Sequence, residues 1–103
     1  MPTLYVTAPE STADELAATL VDERLAACVN AVDCRSTYRW EGEVTTDDET
    51  ILLIKTTDEG YEATKQWIRE HHSYDVPEIV ALEAVDVLDE YVDWVGDQVN
   101  QAD

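Results

Sequence analysis

Basic residues are scarce in this chain. Six Lys and Arg, two of them lysine, stand against 24 Asp and Glu in 103 residues, for a net charge of −18. That balance argues against nucleic acid or an anionic membrane as a partner, because phosphate is held by clustered Lys and Arg. Phenylalanine is absent, and glycine and proline occur three times each, so no linker or low-complexity stretch divides the chain. The expectation is a single domain over residues 1–103. No apolar run approaches the ~20 residues needed to span a bilayer. Cysteine is limited to Cys28 and Cys34. Six residues apart on one extended stretch they lie ~20 Å from each other. A disulfide needs Cα atoms within ~7 Å, so reduced thiols are expected. Those thiols and a start on strand-like Thr3-Leu4-Tyr5-Val6, without a leader pattern, place the expected location in the cytoplasm.

The acidic residues are dispersed through the chain, with Asp14, Glu15, Asp22, Glu23, Asp47, Asp48, Glu49, Asp86, Asp89 and Glu90 among them. Dispersed acidity of this kind is what a high-salt cytoplasm favours, since salt screens the self-repulsion. A cation-binding surface is the competing reading, although no Asp-x-Asp-x-Asp-Gly calcium loop is present.

Periodicity supplies the elements. Residues 3–8 alternate as a strand that Pro9 stops. Thr12-x-x-Glu15 reads as a capping box. Ala13, Leu16, Ala17, Leu20 and Val21 then mark one face of a helix ending near Arg24. Residues 26–42 are extended, Glu41 to Asp48 form the reversal, and residues 49–57 return as an apolar run typical of a central strand. A second helix spans 59–71, a fourth strand 78–85, and a closing helix carries Leu88, Tyr91, Val92, Val95 and Val99 as its stripe. The order βαββαβ plus a C-terminal helix predicts an α+β fold. It is a ferredoxin-like sandwich with both crossover helices on one face of a mixed four-stranded sheet and a long hairpin between its second and third strands. The edge of such a hairpin invites pairing with a neighbouring subunit.

Several residues are candidates for chemistry. The segment His71-His72-Ser73-Tyr74-Asp75-Val76-Pro77-Glu78 joins the second helix to the last strand, and Pro77 stiffens it. It reads either as a capped helix end or as a site. His71 and His72 are candidate ligands for Cu(II) or Zn(II). On a regular helix they point ~100° apart and fall short of a four-ligand set, with Cys28 a third donor only if the fold brings it close. Lys55 sits inside the apolar strand, either paired, facing a cavity, or snorkelling to water. Tyr38 and Trp40 share one face of the hairpin as a stacking wall, an interface anchor or ordinary packing. No nucleophile–base, Walker or zincin motif occurs, so an enzyme is not expected.

Leu25-Ala26-Ala27-Cys28-Val29-Asn30, Tyr38-Arg39-Trp40-Glu41-Gly42, Ile54-Lys55-Thr56-Thr57, Tyr74-Asp75-Val76-Pro77-Glu78-Ile79 and Tyr91-Val92-Asp93-Trp94 together resemble the CutA divalent-cation-tolerance family over nearly the whole chain. The resemblance implies a ferredoxin-like homotrimer similar to the PII proteins, acting in cytosolic tolerance of divalent metals, copper included. It implies copper ligands at His71 and His72 plus a first-strand cysteine. Val6 stands at that cysteine's position, which leaves two imidazoles and weak Cu(II) binding, with no metal required for folding. Ser73 replaces the proline usual after the histidines. The resemblance also implies a cleft between subunits lined by Cys28, Tyr38, Trp40, Lys55, Tyr74 and Glu78. A lysine facing aromatics there suits a small anionic metabolite, so a PII-like sensor or scaffold is the alternative function.

Overall fold

Alternation along the first strand builds the core. In β1 (Pro2–Pro9), Leu4, Val6 and Ala8 are fully buried while Thr3 and Tyr5 on the other face are half-buried. The structure, a computed structural model, describes residues 1–99, so positions 100–103 of the expected domain lie outside the described residues. The remaining elements are α1 (Glu10–Asp22), β2 (Cys28–Trp40), β3 (Glu43–Lys55), α2 (Tyr61–His71), β4 (Ile79–Glu83) and α3 (Asp89–Gln98).

The sheet order is β2-β3-β1-β4, the ferredoxin-like arrangement. All three pairings are antiparallel, which corrects the expected mixed sheet. Each crossover helix carries the chain past one intervening strand, so parallel strands are never neighbours. Leu4 pairs with Ile54 and Val6 with Leu52, and against this layer pack Ala13, Leu16 and Leu20 of α1 and Ile68 of α2. Each large apolar side chain buried here contributes roughly 1.5–3 kcal/mol. The Thr56 and Thr64 hydroxyls, both fully buried, donate to the Leu25 carbonyl at 2.8 and 2.9 Å and close the gap beneath α2.

Three local expectations are corrected. The capping box does not form. Helix α1 starts at Glu10 with Pro9 at its N-cap and no side-chain cap, and Thr12 donates instead to the Pro9 carbonyl at 3.3 Å. Proline's restricted φ, here −58°, already turns the chain from strand to helix ahead of Thr12. The hairpin reversal is also shorter than expected. Glu41 and Gly42 have φ of 51° and 81°, the pattern of a type I′ turn whose twist matches its strands. Thr45 to Asp48 are therefore strand, paired rung by rung with Arg35 to Tyr38. Helix α3 departs from its expected stripe. Val95 and Val99 pack with Ala27, whereas Leu88 and Val92 are exposed.

Helices α1 and α2 cover one face of the sheet. The register places Tyr5, Ile51, Leu53, Val80, Leu82 and Val32 together on the other face, and Val80, Leu82 and Val32 are 43%, 48% and 46% exposed there. These three apolar side chains stay open to solvent in the single chain.

Candidate functional site

The connector after α2 is anchored to β1 through a buried imidazole. His72 caps the helix with its backbone N–H on the Ile68 carbonyl at 2.8 Å, and its ring is buried. Its Nε2 lies 2.8 Å from the Thr7 carbonyl oxygen, which only accepts, so Nε2 carries the proton. Nδ1 then accepts the Tyr74 backbone N–H at 3.0 Å. Both ring nitrogens are thus engaged, and the one lone pair, on Nδ1, is taken by the Tyr74 N–H.

Tyr74 follows directly. Its ring lies 4.8 Å from that of His72 and its hydroxyl donates to Glu49 Oε2 at 2.8 Å. Burial, then the adjacent Glu49 carboxylate, push the Tyr74 hydroxyl up to about 12. Glu49 is 6% exposed. Thr7 completes the group, since its hydroxyl donates to Glu78 Oε1 at 3.2 Å while its carbonyl serves His72. Along the same sheet face the Tyr38 hydroxyl donates to Asp47, a bond that raises the Tyr38 pKa. Sequence reasoning passed over Glu49, Thr7 and Asp47. The available signal was an acid standing at the threshold of an apolar strand.

Of the other expected cleft residues, Tyr38 lies near this pair, and Cys28, Lys55 and Trp40 lie elsewhere. Lys55 stands opposite Cys28 across the base of the hairpin and donates to the Asn30 side-chain carbonyl. Cys28 contacts Tyr91 of α3. Trp40 is 63% exposed at the hairpin tip. Tyr38 sits opposite Thr45, ten rungs and about 33 Å along β3 from Lys55. The fold groups Tyr38, Tyr74 and Glu78 toward one end and Cys28 and Lys55 at the other, and one chain does not bring the six together.

His71 behaves differently from His72. It is exposed, stacks on Trp67 with ring centroids 4.2 Å apart, and its Nδ1 donates to the Trp67 carbonyl at 2.8 Å. Among the described residues no partner meets its Nε2 lone pair. Val6 is fully buried and offers no donor. Among the described residues no three His, Cys, Asp or Glu side chains converge on one point. The donor set within one chain therefore does not fit a tight divalent-cation site. Among the described residues, no helix is long and apolar enough to cross a membrane.

Antiparallel order β2-β3-β1-β4, two helices on one face, an extended hairpin and a connector clamped onto β1 define a ferredoxin-like domain of the PII-like kind. Residues 3–98 match the family described as CutA1 divalent ion tolerance protein, and the chain belongs to that family. It is 48% identical over 94 residues to the divalent-cation tolerance protein CutA of Thermus thermophilus, covering 89% of this chain and 91% of that one. Against the chloroplastic CutA of Arabidopsis thaliana it is 43% identical and spans 52% of that longer protein. The crystal structure of CutA1 from Pyrococcus horikoshii superposes with a TM-score of 0.94 at 34% identity, covering 98% of this chain and 100% of that one. The PII-like protein CutA of Nostoc sp. PCC 7120 gives 0.91 at 37% identity, covering 95% and 97%.

Proposed function

We propose that this chain serves divalent-cation tolerance as a single-domain, cytoplasmic homotrimer that binds ligands rather than catalysing a reaction, with no nucleic-acid or membrane partner. The observation that carries the assembly is the apolar sheet face of Tyr5, Leu53, Val80 and Leu82, open on the side away from the helices. A 103-residue chain gains stability by burying such a face against a second copy. The Tyr74–Glu49 pair lies on that face, so assembly places it at a subunit boundary. There a neighbour's Lys55 or Trp40 completes the cleft that one chain leaves divided, and a small anionic metabolite is the ligand class that a lysine among aromatics fits. Light scattering in molar KCl should give three times the 11.6 kDa chain mass. A monomer at micromolar concentration sinks the assembly.

Direct Cu(II) coordination is the second reading, favoured by the free Nε2 of His71. Binding is weak because His72 contributes a donor only after breaking its bond to Tyr74 or Thr7. Calorimetric Cu(II) titration should lose its heat in His71→Ala and keep it in His72→Ala. Equal loss in both variants would restore the pair as a joint site. Stability insensitive to chelator but raised by a metabolite panel would favour the cleft.

A further inference from the structure

On the helix side of the sheet, α1 and α2 leave between them a groove of about 340 Å³, of whose lining only His71 figures in a functional reading above. Its floor is Leu16 and one wall is the Trp67–His71 ring stack. The other wall is α1, which presents Glu15, Thr19 and Glu23 at successive turns. Among the described residues that line the groove there is no lysine or arginine. The polar atoms it offers include two carboxylates, hydroxyls that can accept, and the unengaged Nε2 of His71. Glu23 is also the C-cap of α1, whose last turn holds no basic residue, so the negative end of the helix dipole adds to the same sign. A bare metal ion is a poor match, because among the described residues no three ligating side chains meet at one point. Glu15 and Glu23 are eight residues apart on one helix face, about 12 Å at 1.5 Å per residue. That spacing asks for an occupant with a positive group at each end and a slender aliphatic backbone that can lie over Leu16, any internal ammonium resting on the face of the indole.

We propose that the α1–α2 groove binds a linear aliphatic polyamine. One terminal ammonium sits at Glu15 and the other at Glu23, and the methylene chain crosses Leu16 and the face of Trp67. The groove opens on the sheet side opposite the apolar face, so it stays accessible in a homotrimer built on that face.

The experiment is an NMR and calorimetric titration of the full chain with spermidine, in the lowest salt that retains the fold. The Trp67 indole Nε1–H resonance should move to saturation while that of Trp94 stays still. Glu15→Gln/Glu23→Gln, both at exposed positions, should weaken binding at least tenfold. Asp86→Asn/Asp89→Asn, which removes as much charge elsewhere, should change it less than twofold. Butylamine, with one ammonium, should bind at least tenfold more weakly than spermidine. Equal affinity of the Glu15/Glu23 variant and wild type, or no movement of Trp67, would overturn the proposal. Displacement of spermidine by equimolar Mg²⁺ would reduce the groove to a counter-ion patch and overturn it as well.

Discussion

The hydroxyl of Tyr74 donates to Glu49 at 2.8 Å, tying the connector after α2 to β3. Glu49 is nearly inaccessible, and in a chain with 24 acids it is a carboxylate set apart from water. Tyr74→Phe removes a donor from a buried acceptor, which costs about 1–3 kcal/mol. The partly exposed ring puts the expected loss toward the lower end of that range. Glu49→Gln keeps an acceptor for Tyr74 and sheds the charge, so it should cost less. Chemical denaturation of both variants in molar KCl checks the order.

The same pair sets an alkaline limit. Tyr74 titrates at about 12 in the folded chain against 10.0 for the free side chain. A raised folded value stabilises fully below pH 10, where both states hold the proton. Stability then declines as pH rises from 10 through 12, because the unfolded chain releases its proton first. Tyr38 and Tyr91 are shifted in the same direction and add to the decline. Melting temperature against pH should fall across that window, and less steeply in Tyr74→Phe.

The two histidines should separate in stability. His72→Ala leaves the Thr7 carbonyl and the Tyr74 N–H without their partner in a buried site, at about 1–3 kcal/mol. His71→Ala removes an exposed ring and should stay within about 0.5 kcal/mol of wild type. Equal losses in urea melts would contradict the assignment of His72 as the clamp.

Val80→Asp/Leu82→Asp should dissociate the assembly to the 11.6 kDa chain without unfolding it, since both side chains are exposed in the single chain. Each new carboxylate would be desolvated at the contact. Sedimentation with far-UV circular dichroism separates dissociation from unfolding.

Gly42 sits at φ 81° in the hairpin turn with open space where a Cβ would go. Gly42→Ala should therefore cost only the backbone term, about 1–2 kcal/mol, and leave the core unchanged. A larger loss in thermal melts would mean that the tip is packed in the assembly.

Much of the fold was legible because burial is periodic. Leu4, Val6 and Ala8 alternate in β1, and Ala13, Leu16 and Leu20 repeat at helical spacing in α1. The errors fell where local chemistry competes. Thr12 carries a capping signature, but Pro9 turned the chain first. Thr45 to Asp48 read as loop because polarity marks exposure, and an exposed hairpin arm is polar too. The candidate site was legible only as a segment. His71 and His72 are adjacent and chemically identical in sequence, yet one is stacked in solvent and the other is locked between Thr7 and Tyr74.

By itself the sequence determined the element order, the strand and helix faces, the family and the acidic character, because these follow from local periodicity, motif and composition. Tertiary structure alone decided which polar groups meet. The Thr7–His72 and Glu49–Tyr74 bonds span 65 and 25 positions. Partnerships at such separations are set by strand register and by where a connector crosses the sheet, and no local pattern encodes either.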